Sequence, residues 1–395
     1  MIAANFPRRI LYGEGSIQFL ETLAFTRVHC IVDQVFHTHN AQVFTELEAL
    51  FKRKNAQHKT TFGQGQEPSL DFVKEAAGEL RAFQPDLLLA IGGGSVLDAA
   101  KVMEVYYEHP DITDAQLYDR FNLPPLRRKA RFVAIPTTSG TGSEVTPMGV
   151  LYVDSGNPAM PHVKRGIADN QMIPDYVILD PAFTLSMPAS VTASTGLDAF
   201  VHAMEAFVCN KPKNAFADGY ALEAMKKVST YLPLVLREPG NLTYRSEMQI
   251  AATMGGLALA GRASGASHAV GKQLATLCPL PHGISVSLML PAVIRRNAQV
   301  RLAEYAEIAR YIGVAEKDDQ AALEGLLSRL DELLRVARCP RTLSDIKQDE
   351  AVFRDKLDIL VANALNDAAM KGNPVTLSSG EVREIFESLA LPNKV

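Results

Sequence analysis

The chain has few of the features that mark secreted or nucleic-acid-binding proteins. Cysteine is scarce: four residues in 395, scattered without a CxxC spacing, so the sequence predicts neither a disulfide framework nor a thiolate zinc site. Positive charge is not in excess, because the formal net charge is -4 and the pI is about 6.2. We therefore expect a small-molecule partner and no nucleic acid.

Long hydrophobic runs are also missing. The longest, Ala251 to Gly261, is well short of the roughly 20 residues that a membrane span needs. The residues after Met1 show no charged region leading into an apolar stretch, so we expect a cytoplasmic protein without a membrane contact. Hydrophobic residues make up 47% of the chain, which is typical of globular proteins, and its length predicts two domains.

The two halves of the chain have different patterns of hydrophobic residues. Short apolar runs in the first half, separated by amphipathic stretches, predict buried parallel strands at Val28–Val32, Leu87–Ile91 and Phe132–Ile135. After Pro188 the periodicity predicts helices over 190–209, 214–237, 245–278, 302–312 and 319–336. We expect an α/β domain over 1–187 and an all-α domain over 188–395.

Two loops that follow predicted strands have the composition of a dinucleotide site. Gly92-Gly93-Gly94-Ser95 leads into a predicted helix, whose free N–H groups and dipole suit a pyrophosphate. The second loop, residues 136–144, is rich in hydroxyls and glycine, which suit phosphate oxygens and a nicotinamide amide. Either loop could instead be an ordinary tight turn. Asp33, after the first strand, could bind an adenine ribose and favour NAD, or cap a helix.

A carboxylate and three histidines form a candidate metal site. Asp198 and His202 are four residues apart in a predicted helix and project from one face. His268 and His282 could join them if the helix from Gly265 ends near the proline-rich turn before His282. One Asp and three His suit Fe²⁺ or Zn²⁺, although any single histidine has an ordinary structural explanation.

Together these stretches resemble the iron-containing (group III) alcohol dehydrogenase family. The resemblance is carried by Gly92–Lys101, Pro136–Glu144, Thr195–Ala206 and the His268/His282 pair, and it covers nearly the whole chain. It implies a Rossmann-like α/β N-terminal domain and an all-α metal-binding domain, the architecture shared with dehydroquinate synthase. It also implies metal ligation by Asp198, His202, His268 and His282. The implied cofactor residues are Gly93, Gly94, Ser95, Asp98, Thr137, Thr138, Thr141, Ser143 and Lys164.

The resemblance implies hydride transfer between NAD or NADP and a small alcohol or aldehyde, with Fe²⁺ or Zn²⁺ polarising the oxygen. The chain departs from the family at Lys272, where members commonly carry another histidine, and at Arg262, usually a small residue. We expect Lys272 and His282 to act in catalysis, and Lys272 to hold an anionic group of the substrate. Alternatively, Lys272 extends to solvent or pairs with an acidic residue, and Arg262 is a surface or interface charge.

Two other functions fit the same fold. One is a lyase similar to dehydroquinate synthase, which uses NAD and a metal but releases no NADH; the Asp198/His202 helix disfavours it. The other is a binding protein that has lost its chemistry, against which the four candidate ligands argue. A homo-oligomer, most commonly a homodimer, is the expected assembly.

Overall fold

The computed structural model describes residues 4–63, 68–154 and 162–390 and groups them into two compact units. The sheet unit consists of residues 5–138 and 142–187, and the helical unit consists of Ala4, Ser139–Thr141 and the chain from Pro188 onward. Ser139–Thr141 therefore belong to the helical unit, although they lie within the first half of the sequence.

The sheet unit is built from strands and helices that alternate along the chain. The strands are β1 (Arg9–Tyr12), β2 (Arg27–Asp33), β3 (Gln57–Gly63), β4 (Leu87–Gly92), β5 (Arg131–Pro136), β6 (Met148–Asp154), β7 (His162–Ala168) and β8 (Tyr176–Leu179). The α-helices are α1 (Gln34–His39), α2 (Ala41–Arg53), α3 (Leu70–Phe83), α4 (Gly94–Glu108) and α5 (Asp114–Leu117). The 3-10 helices are Ser16–Thr22, Ser143–Val145, Asn170–Met172 and Pro181–Thr184.

Six of these strands form one parallel sheet in the order β1-β8-β5-β4-β2-β3. Every residue of β4 is buried, as expected for a central strand covered on both faces. The chain runs from β2 outward to β3 and then returns to β4 on the other side, so the strand order reverses between β2 and β4. In parallel α/β sheets such a reversal opens a crevice at the carboxyl ends of the strands, where ligands bind.

The remaining two strands, β6 and β7, form an antiparallel pair against α4, which the sequence did not predict. The three strands that it did predict are present with slightly wider bounds, which confirms the parallel α/β class of this half.

The helical unit contains nine α-helices among the described residues. They are α6 (Ala189–Val208), α7 (Ala215–Arg237), α8 (Leu242–Gly261), α9 (Ala266–Leu274), α10 (His282–Leu288), α11 (Leu290–Tyr311), α12 (Asp319–Val336), α13 (Glu350–Asn366) and α14 (Ser379–Glu387), with a 3-10 helix at Ala368–Gly372. Helix α6 lies at the centre: from Gly196 to Val208 every residue is buried. This confirms the all-α class of the second half.

The segment 245–278, for which the periodicity predicts helical structure, contains two helices, and the second begins next to Gly265 as expected. The first helix, α8, stops at Gly261, and α9 begins at Ala266 after a break. The side chain of Arg262 explains the break, because its guanidinium donates to the carbonyls of Ala206, Phe207 and Pro212. Arg262 is only 9% exposed and also contacts Asp218, so it is neither a surface charge nor a substrate group.

No helix in the described part of the chain is long and apolar enough to cross a membrane.

Candidate metal centre and cofactor loops

The candidate metal centre starts from two side chains on one face of α6. Asp198 is 3% exposed and His202 is 6% exposed, and the Oδ1 of Asp198 lies 3.7 Å from the Nε2 of His202. The spacing of four residues brings them together because α6 is a continuous helix there.

Helices α9 and α10 bring the other two histidines to the same oxygen. The Nε2 of His268 is 3.7 Å from Asp198 Oδ1, and the Nε2 of His282 is 3.6 Å from it. The donor atoms of Asp198, His268 and His282 all lie within 4.8 Å of one another. The ring of His202 stacks on that of His268, with centroids 4.8 Å apart. The three histidines therefore lie around Asp198 Oδ1, although the group of mutually close donor atoms contains Asp198, His268 and His282 and not His202.

Close backbone contacts at two glycines allow this convergence. A Cβ on Gly271 of α9 would lie 2.6 Å from the Cα of Val286 in α10. A Cβ on Gly283 of α10 would lie 1.8 Å from the carbonyl oxygen of Ser194 in α6. Any side chain at either glycine would therefore push apart two of the helices that carry the four residues.

The four side chains fit a divalent cation. Among the described residues, the Oδ1 of Asp198 and the Nε2 of His268 are buried atoms with no hydrogen-bond partner, although buried polar atoms normally have one. Two ligands bonded at about 2.1 Å in a tetrahedral site are about 3.4 Å apart, close to the separations seen here. A cation bonded to both atoms would satisfy them.

The charges of these groups also suit a cation. Burial alone raises the pKa of the Asp198 carboxyl, but the imidazoles of His202 and His282 outweigh it and bring that pKa well below its usual range. Burial disfavours the imidazolium form of His268, yet Glu205 and Asp198 raise its pKa to about 9. Asp198 is therefore ionised at neutral pH, and a cation bound at His268 would displace a proton.

Glu205 is a residue of this centre to which sequence reasoning gave no role. It is 5% exposed, and its Oε2 lies 2.6 Å from the Nδ1 of His268. The signal was present in the sequence, because Asp198, His202 and Glu205 are spaced four and three residues apart, which places them on one face of a helix.

The first cofactor loop lies at the reversal of the strand order. Gly92 ends β4, and Gly93 caps α4 without a side-chain hydrogen bond to the first turn of that helix. This leaves the N–H groups around Gly94 and Ser95 to receive an anion. A Cβ on Gly93 would lie 3.3 Å from the side chain of Thr138, so the two predicted loops lie side by side.

The second loop is divided between the two units. Thr137 and Thr138 belong to the sheet unit, whereas Thr141 belongs to the helical unit. Within the helical unit, Gly140 packs against Thr195 of α6 so closely that a Cβ would lie 2.5 Å from the Cβ of Thr195. The sequence did not indicate this division.

Beneath these loops, Asp98 and Ser143 form a buried polar network with Lys101. Ser143 Oγ donates to one oxygen of Asp98, and the backbone N–H of Val150 donates to the other at 2.9 Å. Lys101 is fully buried, and its Nζ lies 3.0 Å from Ser143 Oγ and 2.7 Å from the carbonyl oxygen of Met148. Asp98 and Ser143 thus hold the antiparallel pair of β6 and β7 to α4 in this structure.

The remaining predicted cofactor residues are Asp33 and Lys164. Asp33 ends β2 beside β4, as the prediction requires, but its Oδ1 accepts from the N–H of Phe36 and caps α1 at 2.8 Å. The capping alternative is therefore observed. Lys164 is exposed on β7, with its Nζ 5.4 Å from the ring centroid of Tyr152.

Lys272 lies one turn after His268 on α9 and is paired. Its Nζ is 3.1 Å and 3.4 Å from the two carboxylate oxygens of Asp367. The Lys272 side chain is 39% exposed and that of Asp367 is 15% exposed. The alternative of pairing with an acidic residue is thus the one that the structure contains.

Comparisons with known proteins agree with this arrangement. Residues 7–181 match the model of the iron-containing alcohol dehydrogenase family, and residues 192–390 match the C-terminal model of the Fe-containing alcohol dehydrogenase family. The NADPH-dependent butanol dehydrogenase of Clostridium saccharobutylicum is 32% identical over 387 residues, covering 98% of this chain and 97% of that protein.

Solved structures show the same similarity. The iron-containing alcohol dehydrogenase of Thermococcus thioreducens has a TM-score of 0.85 and 32% identity, covering 98% of both chains. The sulfoacetaldehyde reductase of Bifidobacterium kashiwanohense, in complex with NAD+, also has a TM-score of 0.85, with 26% identity over 100% of both chains.

These matches define an oxidoreductase with a parallel α/β half and a helical half. The chain belongs to the iron-containing alcohol dehydrogenase family, and it functions as an alcohol dehydrogenase. The family resemblance inferred from the sequence is confirmed.

Proposed function

We propose that this alcohol dehydrogenase depends on a divalent metal, Fe²⁺ or Zn²⁺, and on NAD or NADP. The observation that carries the metal proposal is the convergence of Asp198, His202, His268 and His282, with two buried atoms left without a hydrogen-bond partner. The donor set of one carboxylate and three imidazoles accepts either ion.

The nicotinamide cofactor is supported by the loops at the strand reversal. The capping of α4 by glycine alone leaves backbone donors for a pyrophosphate, and hydroxyls from Thr137 and Thr138 lie on the neighbouring strand end. One relative is an NADPH-dependent butanol dehydrogenase, and one similar solved structure is a complex with NAD+. Since Asp33 is engaged in capping α1, we make no choice between the two cofactors.

The chemistry follows from these residues. When bound, the nicotinamide would exchange a hydride with the carbonyl carbon, and the cation would stabilise charge on the carbonyl oxygen. Asp198 contributes a full negative charge to the candidate metal centre, because its pKa lies well below neutral pH. His282 is the most exposed of the four residues, with a side chain 46% exposed, so a substrate oxygen would have access to a bound cation on this side. This is our basis for keeping His282 as a catalytic residue.

The metal and cofactor proposal can be tested on one preparation. Protein stripped with a chelator and reloaded with Fe²⁺ or Zn²⁺ should oxidise small alcohols with NAD or NADP, followed at 340 nm. Asp198→Asn should abolish metal retention, while His58→Ala, an exposed histidine of the sheet unit, should match the wild type. Equal activity of stripped and reloaded protein would contradict the metal requirement. Turnover without net NADH would favour the lyase.

The hypothesis of an anionic substrate depends on Lys272. The ammonium of Lys272 already contacts both oxygens of Asp367, so an anionic aldehyde would have to share it with a carboxylate. This pairing weakens the support for an anionic substrate. The similarity to a sulfoacetaldehyde reductase keeps the hypothesis worth testing.

The test compares an anionic and a neutral aldehyde of equal length in wild type, Lys272→Met and Asp367→Asn. Anion binding predicts that Lys272→Met loses turnover only with the anionic aldehyde and that Asp367→Asn gains it. A purely structural ion pair predicts that both variants lose stability and that the ratio of the two activities does not change.

We also propose a homo-oligomer, most simply a homodimer, in the cytoplasm, since cyclic dimers are the commonest assemblies of such enzymes. Sedimentation velocity on the purified protein would measure the assembly, and cell fractionation would locate it.

A further inference from the structure

The carboxylate of Glu205 is saturated by donors from a single short segment. Its Oε2 accepts from the N–H of Gly265 at 2.8 Å and lies 2.6 Å from the Nδ1 of His268. Its Oε1 accepts from the N–H groups of Ser267 at 2.7 Å and of His268 at 3.3 Å. One buried side chain of α6 therefore binds both the backbone and the ring of His268.

The start of α9 is completed by a second buried side chain. The N–H of Ala266, the one donor of this turn that Glu205 does not reach, is 3.2 Å from Oδ1 of Asn373. Asn373 is held in turn by Asn297 through two amide hydrogen bonds, of 3.0 Å and 2.9 Å. The helix end that usually needs capping is thus fixed entirely by buried residues.

These contacts also determine which nitrogen of the His268 ring carries the hydrogen. A carboxylate can only accept, so Nδ1 must carry the hydrogen in the bond to Glu205. In the neutral ring the lone pair is then on Nε2, the atom 3.7 Å from Asp198 Oδ1. We propose that Glu205 is a positioning residue of the metal centre, which holds His268 in the tautomer and orientation that bind a cation. The inference rests on the metal-binding role proposed above.

An amide at position 205 could not replace the carboxylate. If its oxygen faced Gly265 and the His268 ring, its NH₂ would face the N–H groups of Ser267 and His268, which are donors. If it were turned round, the NH₂ would face Nδ1, and His268 would have to move its hydrogen to Nε2. The second arrangement blocks the atom that binds the cation. Both arrangements therefore weaken the site.

The experiment measures metal affinity rather than turnover. Stripped wild type, Glu205→Gln and the control Glu247→Gln are titrated with Zn²⁺ against a chromophoric chelator. Glu247 is a partly exposed carboxylate of α8 paired with Lys227, far in sequence from any predicted ligand. We expect Glu205→Gln to bind Zn²⁺ about 10- to 100-fold more weakly, the usual effect of losing such a partner, and Glu247→Gln to match wild type.

The melting temperature of each protein, with and without Zn²⁺, separates positioning from general stability. A structural role alone lowers both temperatures equally and leaves the Zn²⁺-induced rise unchanged; a positioning role reduces that rise. Zinc affinity of Glu205→Gln within twofold of the wild type would overturn the inference. Failure of the wild type itself to bind Zn²⁺ would instead overturn the proposed metal centre.

A measurement on the wild type keeps the inference testable if Glu205→Gln does not fold. Protein labelled with ¹⁵N-histidine and loaded with Zn²⁺ should show a slowly exchanging, hydrogen-bonded Nδ1–H that disappears in His268→Gln. Protonation of His268 at Nε2 in the zinc-loaded protein would refute the assignment.

Discussion

Replacing Gly271 by alanine should separate α10 from α9 and remove His282 from the centre. The new Cβ would lie 2.6 Å from Val286 Cα, whereas carbon atoms in contact prefer about 3.5 Å, so the helices must move apart by about 0.9 Å. Applied to His282, that displacement would stretch its 3.6 Å separation from Asp198 to about 4.5 Å. Two bonds of about 2.1 Å can bridge at most about 4.2 Å, so one cation could no longer hold both residues.

The free energy of unfolding should change much less than the metal affinity. Overpacking of this kind costs about 1–3 kcal/mol, and the better helix propensity of alanine returns about 1 kcal/mol. Urea unfolding of the metal-free protein should therefore show a loss of at most about 2 kcal/mol. Zinc titration should show a weakened site in a protein that is still folded.

Gly219 provides the matched control. It also lies inside a helix, α7, but a Cβ there meets no atom within 4 Å. Gly219→Ala should raise the free energy of unfolding by up to about 1 kcal/mol and leave zinc binding unchanged. Wild-type zinc affinity in Gly271→Ala would refute the argument that helix spacing controls the centre.

Three further predictions concern other buried charges and the metal. Lys101→Met should destabilise the protein, because Ser143 Oγ and the carbonyl oxygens of Thr146 and Met148 lose their donor. Burial lowers the pKa of Lys101 to about 8 from 10.5, so the stability of the wild type rises with pH between those values and that of the variant does not. Urea unfolding at pH 7 and 9.5 should show the difference between the two proteins widening by about 1–2 kcal/mol. A pH-independent difference would contradict this sign. Arg262→Met should cost about 3–5 kcal/mol in urea unfolding, because three carbonyls lose their donor and Asp218 loses its ion-pair partner. Arg295→Met, which removes an exposed ion pair, should cost under about 1 kcal/mol. Equal costs would argue against a structural role for Arg262. Zinc at 100 times its Kd should stabilise the stripped protein by about 2.7 kcal/mol, measured as a higher melting temperature, and an unchanged temperature would contradict a metal centre.

The central strands could be predicted from the sequence, whereas the edge strands could not. Strand β4 is apolar throughout because both of its faces are covered. Strand β3, Gln57–Gly63, is an edge strand with four exposed polar residues at its start, so neither its composition nor its alternation differs from a loop. Strand β1 has only four residues. Both edge strands are defined by the strands that they pair with, and not by their own sequences.

Prediction of the helical half was likewise limited by contacts between residues that are distant in sequence. Helical periodicity is present on both sides of the break after Gly261, and the start of the second helix near Gly265 was predictable. The residue at the break, Arg262, donates to carbonyls 50 to 56 positions earlier in the chain. The ligand pair on α6 was predictable, because a helix fixes the geometry of residues four apart. The capping of α9 by Asn373 depends on a contact across 107 positions, which no local pattern encodes.

The four candidate ligands differ in their exposure to solvent, and this difference indicates the side from which a metal ion would enter and leave. Asp198, His202 and His268 are at most 6% exposed, while the His282 side chain is 46% exposed. An ion that binds at this centre would therefore meet His282 first and lose its last water molecules against the other three residues. Its release would reverse that order, so the ion would leave past α10, the short helix that begins with His282.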